Sequence, residues 1–191
     1  MRFIFLFTLL VLTACQSDNP TTQVVEMYNS SGDMVGNATL NESEDGVGIE
    51  LKLEGLEPGF HGIHVHEFPK CEGPEFTTAG NHYNPEGKEH GLMHPEGPHI
   101  GDLPNIEADA GGLVEAELML AGATLLDGKN SLLNEDGTSL VVHEGQDDGV
   151  SQPSGESGVR ILCGEIKKDK DSEESEESPT DPTESNEEQK E

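Results

Sequence analysis

Eight histidines lie between positions 61 and 143, and their company is what a metal site requires. His64 and His66 flank Val65 in an apolar, β-type run. Side chains alternate along a strand, so i and i+2 share a face about 6.5–7 Å apart, close enough for two imidazoles to grip one ion. A pair of surface or stacked histidines is the plainer alternative for that spacing. A second group, His82, His90, His99 and Asp102, falls in one Gly/Pro-rich stretch. Three imidazoles and a carboxylate form a nitrogen–oxygen donor set suited to tetrahedral zinc. A His-rich loop without metal is the alternative there. His143 follows another apolar run, Leu140-Val141-Val142.

These donors need strands and tied-down loops to hold them. Short β-type runs alternate with turn clusters: Val24–Tyr28, Met34–Leu40, Val47–Leu53, His61–Glu67, Leu113–Leu120, Ser139–His143 and Val159–Ile166. Val47–Leu53 alternates apolar and polar residues, the pattern of a half-buried strand. Long amphipathic helices are absent from the pattern. Many short strands with Gly-rich turns predict an all-β, antiparallel sandwich or barrel. Residues 68–105 and 144–158 break the rhythm. Loops of that length are functional or disordered, and a metal or a disulfide would order them.

Both ends differ from the middle. Arg2, the apolar run Phe3–Ala14 and the Ala14–Cys15 junction have the parts of an export signal. The run is short of the roughly 20 residues a membrane span needs. Leu12-Thr13-Ala14-Cys15 resembles the bacterial lipobox, so residues 1–14 are expected to be removed and Cys15 lipidated. An ordinary signal with a chance cysteine is the alternative. Lipidation accounts for the odd thiol and leaves Cys71 and Cys163 as a pair, which export would place where disulfides persist. Residues 15–23 read as a linker and 24–167 as one folded domain. Residues 168–191 read as an acidic tail that lacks the apolar surface to order itself. With 39 acidic and 10 basic residues the net charge is −29, which argues against nucleic acid as a partner, since that calls for a basic patch.

Six motifs in order resemble the copper/zinc superoxide dismutase family, of the bacterial lipoprotein type. They are His61-Gly62-Ile63-His64-Val65-His66-Glu67; Ala79-Gly80-Asn81-His82-Tyr83-Asn84-Pro85; His90-Gly91; His99-Ile100-Gly101-Asp102-Leu103-Pro104-Asn105; Val141-Val142-His143-Glu144; and Gly158-Val159-Arg160-Ile161-Leu162-Cys163-Gly164. The resemblance covers residues 24–166. It implies a Greek-key β-sandwich or flattened barrel with long metal-binding loops. It also implies one copper on His64, His66, His82 and His143, and one zinc on His82, His90, His99 and Asp102, His82 bridging the two.

By the same resemblance, Arg160 orients superoxide beside the open copper face and His82 carries a proton. Asp147, with Asp148 as a rival, links a copper ligand to a zinc ligand. Cys71 pairs with Cys163, His61 braces the copper loop, and His94 matches nothing. One departure concerns rate. Residues 144–159 carry Glu144, Asp147, Asp148 and Glu156 and no lysine, where eukaryotic relatives use lysines to draw in the anion. The expected activity is conversion of superoxide to oxygen and hydrogen peroxide outside the cytoplasm, the protein held to a bacterial membrane through Cys15. Monomer and homodimer both remain open. The competing function is a copper- and zinc-binding lipoprotein that buffers or delivers metal with little turnover.

Overall fold

The computed structural model describes residues 21–168. The export signal, Cys15 and the tail beyond residue 168 lie outside the described residues. Among the described residues nine strands form: β1 (Thr22–Asn29), β2 (Met34–Ser43), β3 (Gly46–Leu53), β4 (Gly59–His61), β5 (Ile63–His66), β6 (Ile106–Ala108), β7 (Val114–Ala121), β8 (Thr138–His143) and β9 (Arg160–Ile166). Seven pair antiparallel in the order β5-β8-β9-β1-β2-β3-β7, and β4 pairs with β6 separately. The all-β expectation holds.

The core follows the strand alternation. Val47, Ile49, Leu51 and Leu53 are buried while Glu50 and Lys52 turn outward. Leu51 faces Ala38 and Ile49 faces Leu40 across the β2–β3 ladder. Val25 and Met27 of β1 extend the same face. β5 and β8 are buried on both faces. Ile63, Val65, Leu140 and Val142 enter the core. His64, His66, Val141 and His143, on the alternate positions, face outward beneath the two long loops.

The loops are fastened to that outer face by backbone. Tyr83 N donates to Val65 O, Val65 N to Gly101 O and Gly101 N to Tyr83 O, each at 2.8 Å. His66 bridges to His82 and His64 to Asp102, so the loop lays its donors directly beside β5. Cys71 is joined to Cys163 of β9, 92 residues later, with Cα atoms 5.6 Å apart. Phe76, Ala79 and Val141 pack around this bridge.

Three boundaries differ from the sequence expectation. The run His61–Glu67 is two strands, broken at Gly62. There a Cβ would meet Ser157 Cβ at 2.9 Å, and Gly62 N donates to Gly145 O while His143 N donates to Gly62 O. That crossing of three segments interrupts the ladder. β6, which is too short to show a period, lies just beyond the expected loop. β2 runs on to Ser43, because Asn41 and Glu42 find partners in Gly48 and Val47.

Candidate metal centre

Four ring nitrogens are buried without a hydrogen-bond partner: His64 Nδ1, His66 Nε2, His82 Nε2 and His143 Nε2. The donor atoms of these four side chains lie within 4.8 Å of one another. Each opposite nitrogen has an acceptor. His64 Nε2 is 2.6 Å from Asp147 Oδ2, His66 Nδ1 3.0 Å from Gly80 O, His82 Nδ1 2.9 Å from Asp102 Oδ1 and His143 Nδ1 3.1 Å from Gly158 O. A neutral imidazole donates from one nitrogen and keeps a lone pair on the other. The network therefore turns four lone pairs toward one region, which is the state a metal ligand needs.

Burial maintains that neutral state. It lowers His64 against the opposing pull of Asp147, and it drives His66 well below the ordinary range, helped by His82 and Arg160. It pushes His82 down to about 4 against the Asp102 hydrogen bond, and His143 down to about 3 with His64 adding to the shift.

The second cluster gathers on Asp102. His82, His90 and His99 place Nδ1 at 2.9, 3.1 and 3.2 Å from its Oδ1. Three donors crowd one oxygen that has two lone pairs. Metal bonds of about 2.0 Å in a tetrahedron set ligand atoms roughly 3.3 Å apart, close to these separations. Its other oxygen accepts from Gly91 N at 2.8 Å and His99 N at 3.1 Å. Burial would raise Asp102, but the three histidines and Gly91 outweigh it and hold the carboxyl far below its usual range. His90 lies between two carboxylates, its Nδ1 on Asp102 and its Nε2 3.2 Å from Asp147. Burial opposes its charge, yet the two acids raise it to about 9, so metal entry would release a proton from His90. His82 belongs to both clusters, one nitrogen in each, and stacks on His64 with ring centres 3.9 Å apart. Both donor sets fit their expected ions: imidazoles for copper, three imidazoles and a carboxylate for zinc.

Among the two rival acids, Asp147 is the one joining the clusters. Asp148 instead accepts from Val150 N and Ser151 N within its own loop. Hydrogen bonds accepted from His64, His90 and Gly149 N hold Asp147 well below the usual carboxylate range against the effect of burial. Gln152, which the sequence did not single out, pairs with the His90 backbone in both directions, Oε1 accepting from His90 N and Nε2 donating to His90 O, each at 2.9 Å. His61 stands off the clusters, its ring nitrogens 2.9 Å from His143 O and 2.8 Å from Glu57 O. His94 is half-buried in a turn, accepting from Glu96 N.

A cleft of about 620 Å³ opens on the first cluster, lined by His66, His82, His143, Glu67, Asn81 and Arg160 among others. Arg160 Nη1 donates to Phe76 O at 2.8 Å and Nη2 to Gly80 O at 2.6 Å, which holds the guanidinium at the cleft wall. A larger groove of about 920 Å³ runs along β1 and the disulfide. It holds none of the histidines, and the chemistry lies in the smaller cleft.

Comparison with known proteins agrees with this geometry. The sequence profile described as copper/zinc superoxide dismutase (SODC) matches residues 34–166. A superoxide dismutase [Cu-Zn] of Aquifex aeolicus is 46% identical over 144 residues, covering 74% of this chain and 84% of that protein. The crystal structure of a SOD-like protein from Bacillus subtilis superposes with a TM-score of 0.73 at 39% identity, covering 75% of this chain and 97% of that one. The Cu/Zn superoxide dismutase from Brucella abortus superposes with a TM-score of 0.64 at 33% identity, covering 76% and 99%.

Proposed function

The chain belongs to the copper/zinc superoxide dismutase family, and from that premise we propose how its own residues divide the work. It is an oxidoreductase that converts superoxide to oxygen and hydrogen peroxide and uses copper and zinc. We assign copper to His64, His66, His82 and His143, and zinc to His82, His90, His99 and Asp102. One observation carries the assignment: four buried, unpartnered histidine nitrogens adjoin the cluster in which His82, His90 and His99 gather on Asp102, and His82 turns one nitrogen to each. A storage protein would have no use for a lone arginine fixed at the open wall of such a cleft.

What the metals supply when bound is a one-electron couple from copper and a fixed positive charge from zinc. The protein's residues do the rest. Arg160 attracts superoxide and orients it, its own position set by two backbone carbonyls. His82 presents Nε2 to the cleft, where it can hold a proton and pass it to the departing peroxide. Asp102 and Nδ1 of His82 would both be held by zinc, which leaves Nε2 as the His82 nitrogen that faces the cleft. Asp147 accepts from Nε2 of His64 and so leaves Nδ1 of that ring as its free nitrogen. The walls of the cleft shield these groups from bulk water.

The same reading places the protein outside the cytoplasm, lipid-anchored through Cys15 to a bacterial membrane, with residues 1–14 removed, 15–23 as a linker, 24–167 as the domain and 168–191 as a tail. The signal pattern and lipobox support the anchor, and the Cys71–Cys163 disulfide supports an oxidising compartment. Metal analysis combined with superoxide consumption by the copper- and zinc-loaded protein tests the function. One equivalent of each metal with rapid consumption is expected, and full loading with no consumption would leave a metal-binding protein. Cell fractionation of Cys15→Ser tests the anchor: release from the membrane, or blocked processing, is expected.

A further inference from the structure

We propose that Glu67 is a positioning residue for the anion site. Its carboxylate clamps Asn81 and so, through the neighbouring Gly80 carbonyl, sets both the Arg160 guanidinium and the His66 ring. The proposal rests on the dismutase reading and names a residue that reading does not use.

Glu67 Oε1 accepts from Asn81 N at 3.0 Å and from Asn81 Nδ2 at 3.1 Å. Glu67 N donates to Asn81 O at 2.9 Å. One residue therefore grips Asn81 at its N–H, its carbonyl and its side chain. Asn81 N closes the peptide whose carbonyl is Gly80 O. That oxygen accepts from Arg160 Nη2 at 2.6 Å and lies 3.0 Å from His66 Nδ1. The Glu67 side chain also lies against the Gly80 α-carbon. A Cβ on Gly80 would meet Glu67 Cγ and Oε1 at 2.6 Å, and the φ of +80° suits glycine. The peptide cannot rotate without giving up its hydrogen bond to the carboxylate, and any rotation would move the acceptor shared by Arg160 and His66.

The sign of the charge makes this placement informative. Glu67 lines the same cleft as Arg160, and superoxide is an anion, so a carboxylate there repels the substrate. What it supplies in return is a charge-assisted acceptor, roughly twice as strong as a neutral one. The two effects oppose each other and can be separated. Glu67→Gln removes the charge and keeps a carbonyl acceptor for Asn81. Glu67→Ala removes both. Glu67→Leu keeps bulk against Gly80 without an acceptor and stands in should the alanine variant fail to fold.

The test compares these variants with the parent, all copper- and zinc-loaded with metal content checked. It measures the dismutation rate, azide affinity from the copper absorption band and the copper EPR hyperfine splitting. The alanine or leucine variant should lose about 3- to 10-fold in rate and in azide affinity, the scale of one positioning hydrogen bond. Its EPR spectrum should shift as the His66 ring is released. Glu67→Gln should restore the parent spectrum and azide affinity and match or exceed the parent rate. A parental spectrum and azide affinity in the variants lacking an acceptor would overturn the proposal, as would a glutamine variant that behaves like them. A loaded parent that consumes no superoxide would instead overturn the dismutase reading, while the spectra and azide affinities would still judge Glu67.

Discussion

Asn105 and Asp147 hold each other in a two-way amide clasp: Asn105 Nδ2 donates to Asp147 O and Asp147 N donates to Asn105 Oδ1, both at 2.8 Å. The clasp crosses from the end of one metal loop to the start of the other. It fixes the carboxylate that lies between His64 and His90.

Loss of that carboxylate should loosen both metals. Supporting carboxylates around metal-ligating histidines typically contribute 10–100-fold in affinity. Asp147→Ala should therefore lose copper and zinc to a competing chelator at about 10–100-fold lower chelator concentration. Asn105→Ala should shift retention in the same direction by less. Unchanged retention in both variants would reduce the clasp to a loop contact.

His82 and His143 should separate the two sites. His82 has one nitrogen in each cluster, whereas His143 has its second nitrogen on the Gly158 carbonyl. His82→Ala should lower the content of both metals, and His143→Ala chiefly that of copper. Elemental analysis decides it, and full zinc with only copper lost in His82→Ala would contradict the bridge.

Arg160→Ala should keep both metals and lower the second-order rate with superoxide, because charge at contact acts before solvent screens it. Among the residues lining the cleft Arg160 is the only lysine or arginine, and Glu67 shares the wall. Added salt screens distant acids over about 8 Å at 0.15 M, so the parent rate should stay flat or rise modestly with salt. Removal of residues 168–191 should raise the rate slightly at low salt. A steep fall in rate with salt would reveal an attractive funnel that these residues do not form.

The metal-free protein should be most stable near neutral pH. His82 and His143 take protons in the unfolded chain below about 6.5, but in the folded chain only near about 4 and about 3. His64 and His66 act in the same direction. Acidification below pH 6.5 therefore favours unfolding. His90, raised to about 9, contributes stability that is complete below 6.5 and lost as pH rises toward 9. Thermal melts of metal-free protein should show Tm falling on both sides of neutrality. A Tm that holds steady from pH 7 to 5 would contradict the neutral burial of the four histidines.

The Cys71–Cys163 link spans 92 residues, for which chain-entropy reckoning suggests about 4–5 kcal/mol of stability. Replacing both cysteines with alanine should lower the denaturation midpoint accordingly. It should also loosen the segment of Phe76, whose carbonyl holds Arg160, so some loss of rate should accompany the loss of stability.

Much of the site was legible in the residues themselves. The spacing of His64 and His66 placed two imidazoles on one strand face, and the alternation of Val47–Leu53 announced a half-buried sheet. Both are properties of a few adjacent residues, because backbone geometry alone sets a period of two. The order of motifs indicated the ligand set and the disulfide pairing by resemblance. What distinguished Asp147 from Asp148 was contact with His64 and His90, 83 and 57 positions away, and two adjacent aspartates are chemically identical until the fold chooses between them. The break at Gly62 came from Gly145 and Ser157 crossing there, and Glu67 acquired its role only when Asn81 was laid beside it. Local pattern determined which groups could bind metal and which face they would share. Tertiary structure decided which nitrogen keeps its lone pair and where the arginine points, because a hydrogen bond is set by distance and direction in space and not by position along the chain.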